Sequence, residues 1–198
     1  MVLSLRCECG RVQGRVETDQ LYVRATCYCR DCQAYARWLD RPGVADAQGG
    51  TDMVAMNPAA VHITAGSEQI ACMSLSGKGI LRWYAACCRT PLGNTPRDAN
   101  ISYVGIVTTG LSPAREVDEA FGPKGKTVIN SGSAQGKVKA TPVGFVFGGL
   151  RIVRKMLGAR LRGQGPMLFF DGEGQPIREI EVLSATERAA LQANNALN

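Results

Sequence analysis

The sequence predicts a mainly β protein organised around cysteine metal sites, with an α/β extension towards its C-terminal end. Three observations predict it. Over the first 110 residues, short runs of β-branched and aromatic residues alternate with Gly, Asn, Asp and Pro, the punctuation of strands and turns. Seven of the eight cysteines fall into three compact groups. After Thr109 the pattern changes to a Gly/Ser/Lys-rich connector followed by a helical apolar period.

The predicted strands are 11–16, 21–25, 61–64, 69–74, 79–84 and 101–108. A helix of one or two turns follows Cys29: Asp31 is its expected cap, 33–39 supplies good helix formers, and Asp40-Arg41-Pro42-Gly43 ends it. Residues 113–121 form a short helix, and 122–141 lacks any apolar period and reads as a connector. Val146, Leu150, Val153, Leu157 and Leu161 then recur at helical spacing, the apolar stripe of an amphipathic helix. Its other face is basic, with Arg151, Arg154, Lys155 and Arg162. Such a helix packs on a core or, as a weaker reading, lies on a membrane surface. Residues 167–170 and 176–183 flank Asp171-Gly172-Glu173-Gly174, a hairpin signal, and Ser184-Ala185-Thr186-Glu187 is a capping box for a last helix to about Leu191. The expected division is a zinc-binding unit over 3–110 and an extension over 111–198.

A chain of 198 residues buries a core without covalent staples, so the cysteines need another reason. No secretion signal precedes the first cysteine pair, and the longest apolar stretch, 143–150, holds three glycines and stops at Arg151, short of the roughly 20 residues of a membrane span. The expectation is a soluble cytoplasmic protein whose thiols stay reduced. The formal charge of +6 is regional: residues 120–170 carry nine Lys/Arg and no acidic residue. That composition suits an acidic small substrate, a nucleic acid or an anionic surface. The expectation that this run is not interleaved with exposed aromatic residues of the kind that stack bases makes nucleic acid the less favoured partner.

The cysteine groups are Cys7-Glu8-Cys9-Gly10, Cys27-Tyr28-Cys29-Arg30-Asp31-Cys32 and Cys87-Cys88. Zinc takes thiolates at about 2.3 Å in a tetrahedron, so knuckles from distant chain positions converge on one ion, and Gly10 eases the tight turn. Three thiolates as close in sequence as Cys27, Cys29 and Cys32 occupy three corners and leave the fourth for water, substrate or a distant ligand, the mark of a catalytic zinc. Groups one and three supply a second, closed, structural site. A redox pair at Cys29 and Cys32 lacks the expected βαβ surroundings, and a disulfide within C-x-C is strained. Cys72 lies alone in a strand pattern and His62, the single histidine, has no cysteine near it in sequence; both read as strand residues.

These motifs resemble the glutathione-dependent formaldehyde-activating enzyme and centromere protein V group, whose pattern is C-x-C-G, then C-H-C-x-x-C about twenty residues on, then F-C-x-x-C-G. Cys7-Glu8-Cys9-Gly10 and the group from Cys27 to Cys32 match at the right separation, and the stretch from Trp83 to Leu92 resembles the third motif, the likeness covering about residues 3–110. Tyr28 replaces the histidine of the middle motif, Tyr84 stands at the first cysteine of the third, and Cys88 stands at its glycine.

The resemblance implies small antiparallel sheets in a β-tent-like arrangement, a structural zinc on Cys7, Cys9 and Cys87 with Cys88 the nearest fourth ligand, and a zinc treated as catalytic on Cys27, Cys29 and Cys32. One or two zinc ions are expected. The implied activity is that of a carbon-sulfur lyase on a small thiol or thiol conjugate of the S-hydroxymethyl type. The alternative is a non-catalytic zinc module that holds an anionic partner through the basic 120–170 region.

Overall fold

The structure is a computed structural model that describes residues 1–161 and 168–193; Arg162 of the predicted basic face and Met167 of the predicted hairpin lie outside the described residues. In chain order the strands are β1 (Val2–Arg6), β2 (Gln13–Glu17), β3 (Leu21–Cys27), β4 (Thr51–Met56), β5 (Val61–Ala65), β6 (Ile70–Ser74), β7 (Leu81–Ala85), β8 (Thr90–Thr95), β9 (Val104–Val107), β10 (Leu111–Ser112), β11 (Val128–Ile129) and β12 (Ile180–Val182). The helices are α1 (Arg30–Leu39), α2 (Ala114–Phe121), α3 (Pro142–Leu161) and α4 (Ala185–Ala193).

The chain is mainly β, as its sequence predicts. A four-stranded antiparallel sheet runs β10-β1-β2-β5, and an eight-stranded sheet runs β11-β3-β4-β9-β8-β7-β6-β12. The larger sheet is mixed rather than antiparallel throughout, because β11 and β12 join its two edges in parallel to β3 and β6. Both edge strands come from beyond residue 111.

The six predicted strands exist as β2, β3, β5, β6, β7 and β9, and β12 falls within the predicted 176–183; of the strands that were not predicted, β1, β4 and β8 were hidden for distinct reasons. β1 alternates inward Leu3 and Leu5 with exposed Val2, Ser4 and Arg6, a short period-two signal. β4 is buried along its whole length between β3 and β9, yet Thr-Asp-Met-Val-Ala-Met has little β-branched character. β8 contains Pro91 and Gly93, which read as turn formers. The proline is tolerated because the β7–β8 register shifts between Trp83 and Tyr84, placing it at a bulge. Gly93 lets the strands approach closely: a Cβ there would sit 3.2 Å from the Gly105 carbonyl oxygen, a tight contact.

The core lies between the sheets, where fully buried Trp83 stacks on Phe169 at 4.5 Å between ring centroids. Phe169 belongs to the C-terminal extension, so the extension buries apolar surface in the same core as the cysteine-bearing strands. Under β3, Arg24 bonds Asp52 at 2.8 Å and Asp118 at 2.6 Å, and Thr108 Oγ1 donates to Asp52 at 2.9 Å. This network fastens α2 to the strand that delivers Cys27.

Three sequence expectations need correction. Asp31 does not cap α1: Cys29 is the N-cap, its Sγ accepting from the Cys32 amide, and Asp31 instead receives hydrogen bonds from Arg188 and Gln192 of α4. The hairpin reduces to one bridge, Phe170 to Pro176, because the chain beyond it leaves to pair with β6. The apolar stripe of α3 faces outward: Val146, Leu150, Val153, Leu157 and Leu161 are all more than half exposed. The helix packs instead through small residues, Gly144, Gly148 and Ala159. The Ser184 capping box does form, with Glu187 Oε2 accepting from the Ser184 amide and the Glu187 amide donating to Ser184 Oγ.

Candidate metal centres

The first centre is assembled by two turns facing each other. Cys7 follows β1, and its carbonyl accepts from the Gly10 amide at 2.9 Å; Gly10 has φ +77, which a side-chain-free residue adopts without strain. The Val12 amide donates to Cys7 Sγ at 3.2 Å. The opposite turn links β7 to β8, where Ala85 O accepts from both the Cys88 and Arg89 amides and Arg89 takes φ +55. That tight turn lets neighbouring Cys87 and Cys88 point into one space.

Cys9 Sγ lies 3.2 Å from Cys87 Sγ and 3.6 Å from Cys7 Sγ, Cys7 lies 4.0 Å from Cys87, and Cys87 lies 3.9 Å from Cys88. All four sulfurs fall within 4.8 Å of one another. A tetrahedron of about 2.3 Å zinc-sulfur bonds has edges of about 3.8 Å, so the four-thiol set fits a closed zinc site. The turn also prepares Cys88 for ligation. Burial opposes its ionisation, but the Thr90 hydroxyl at 3.1 Å and the Cys9 and Thr90 amides hold its thiol at about 6. Burial and neighbouring thiols push Cys87 up to about 12.

The second centre forms where β3 runs into α1. Cys27 ends the strand, Cys29 caps the helix and Cys32 lies in its first turn, so the Cys32 amide reaches Cys29 Sγ at 3.3 Å. Orphan amides and the positive helix end both favour a thiolate here. The three sulfurs lie within 4.8 Å of one another, and the group holds no histidine or carboxylate. Hydrogen bonds from Cys27 and Cys32 bring the Cys29 thiol down to about 2, and the reciprocal contacts push Cys27 and Cys32 up. Cys27 and Cys32 are buried, whereas Cys29 is half-buried and gives the group its side towards solvent.

Two residues beside this centre were not evident from the motifs. Asn130, in a left-handed turn after β11, donates to Cys27 Sγ at 3.8 Å. Arg82 is 3% exposed, rests its guanidinium 4.8 Å above the Tyr35 ring, and its charge favours the thiolate forms of Cys29 and Cys32. None of the ion pairs among the described residues involves it. A buried cation needs compensating charge. Three thiolates around a divalent cation would carry one net negative charge, which Arg82 would balance, so the thiol-only donor set and its surroundings fit a divalent ion such as zinc. A cation inside the apolar run Leu81-Arg82-Trp83-Tyr84 was the available sequence signal.

The structure also explains the departures in the motifs. The Tyr28 hydroxyl donates to Asp46 Oδ2 at 3.1 Å; burial and that carboxylate push it to about 12. Tyr84 packs edge-on against Trp38 at 5.0 Å, in the cluster between α1 and the sheet. Cys72 is a buried core residue of β6, and His62 of β5 bonds Glu17 of β2 at 3.2 Å. Neither residue belongs to the two cysteine groups.

A family model described as "Family of unknown function (DUF6151)" matches residues 1–181. No curated protein matches the chain. Among solved structures, the crystal structure of a Rhodobacter sphaeroides protein, a structural genomics target, resembles 58% of this chain and 94% of its own at 16% identity and a TM-score of 0.42.

Proposed function

We propose a function from the premise that the chain belongs to DUF6151, a family of unknown function: it is a zinc protein with a closed structural centre on Cys7, Cys9, Cys87 and Cys88 and an open, catalytic-type centre on Cys27, Cys29 and Cys32. The observation that carries the reading is the difference between the two donor sets, four sulfurs in one and three in the other. A fourth sulfur closes a tetrahedron, whereas a three-sulfur set leaves one position for an exchangeable ligand.

The reaction is a reversible carbon-sulfur lysis of an S-hydroxymethyl thiol. It rests on the motif resemblance and on the thiol-only donor set. In the forward direction the hydroxyl of the adduct gives its proton to water, the carbon-sulfur bond breaks to give the aldehyde, and the electron pair leaves on sulfur as thiolate. Zinc bound at the three sulfurs would supply Lewis-acid stabilisation of that sulfur anion. Cys29, on the solvent side, marks the approach; Asn130 fixes Cys27, and Arg82 keeps the net charge of the centre near zero. Arg30, exposed beside Cys29, lies where a carboxylate of the substrate can be met.

Magnetisation-exchange NMR on formaldehyde mixed with a panel of small thiols, glutathione included, tests the lyase reading. Exchange between free and S-hydroxymethyl thiol should accelerate with the zinc-loaded protein for at least one thiol and return to the solution rate with Cys29→Ser. Equal rates with and without the wild-type protein across the panel would remove the lyase reading.

A further inference from the structure

We propose that α3 is a docking face for anionic membrane surface, lying in the lipid interface rather than crossing it. The helix has 20 residues, about 30 Å at 1.5 Å per residue. Its inner face comes closest through small residues, with Ile152 and Met156 half-buried beside them: a Cβ on Gly148 would lie 3.3 Å from Val23 Cγ2, and one on Gly144 only 2.6 Å from the Lys126 carbonyl oxygen. The helix is thereby held with one side inward, and the side turned out is the apolar one. Val143, Val146, Leu150, Val153 and Leu157 follow one another at three- and four-residue steps, Phe147 lies beside Val146 one turn before Leu150, and all six are 54–68% exposed. A contiguous apolar ridge of this kind marks an interaction surface.

Charge selects the occupant. Arg151 and Arg154 are exposed on the same helix, and the whole 120–170 region has nine Lys/Arg and no acidic residue. A second copy would set these cations against themselves. A groove that grips a helix on several sides cannot enclose one already fixed to a sheet, whereas a lipid surface buries a single face and supplies negative charge. Among the described residues no helix is long and apolar enough to cross a membrane, which leaves the in-plane arrangement.

The test is sedimentation of the full-length protein with vesicles of phosphatidylcholine alone or mixed with phosphatidylserine, at low and high sodium chloride, beside light scattering without lipid. Binding should require phosphatidylserine and weaken with salt. The double variant Phe147→Ser/Leu150→Ser should lose affinity by about tenfold per side chain, and Arg151→Gln/Arg154→Gln by about fivefold per charge. These side chains are exposed, so circular dichroism should be unchanged in both. Failure of the wild type to bind phosphatidylserine vesicles overturns the proposal, as does binding that both double variants retain. A wild-type dimer that dissociates in Phe147→Ser/Leu150→Ser, with no vesicle binding, would assign the face to a second copy instead.

Discussion

Replacing Cys87 with Ser, or Cys9 with Ser, should lower the melting temperature by about 8–16 °C, the equivalent of ~4 kcal/mol for a chain of this size. The size of the effect is what makes it diagnostic. Cys9 is exposed and Cys87 half-buried, so exchanging sulfur for oxygen removes little core packing, and a surface substitution without a metal would stay within about 0.5 kcal/mol. A structural zinc contributes folding energy outright, about 10–16 kcal/mol in zinc-finger peptides, and here it would tie the turn after β1 to the β7–β8 turn across the two sheets. Thermal melts of wild type and variant, each with and without a chelator, check this. The variant should melt near the chelated wild type, and a chelator should barely move it further.

Cys29→Ser should act in the opposite sense, abolishing the second centre's chemistry while leaving the fold nearly intact. Cys29 has a structural duty as the N-cap of α1, but serine is among the preferred N-caps and can accept the same Cys32 amide bond. What serine does not replace is the thiolate ligand. Removing an outer-shell partner of a metal site already costs about 10–100-fold in affinity or activity, so loss of a direct ligand should lower the thiol-aldehyde exchange rate by more than about 100-fold. Exchange spectra and a melt on the same sample measure both. Unaltered exchange with Cys29→Ser would detach the activity from this centre.

Both cysteine groups were legible in the sequence because metal ligation fixes local spacing: C-x-C-G needs its glycine for the turn, and C-x-C-x-x-C needs a strand end and a helix start within six residues. The fourth member of the first group was less plain, because adjacent ligands require the turn that Arg89 closes at φ +55, a property of backbone rather than composition. Asn130 and Arg82 reach the second centre from remote elements, which local patterns do not encode. β4 and β8 were hidden for a related reason. Their strand character comes from neighbours on both sides and overrides Met, Gly and Pro content. For α3 the period correctly gave a helix, but period alone does not say which face meets the protein; the small residues opposite the stripe decided it.

Metal analysis of the purified protein, by inductively coupled plasma mass spectrometry against a protein concentration from amino-acid analysis, tests the central claim most directly. The two cysteine groups predict two zinc ions per chain in the wild type and one in Cys29→Ser, the retained ion being that of the four-sulfur centre. A wild-type protein with no bound zinc, or a Cys29→Ser variant with the same zinc content as the wild type, would contradict it.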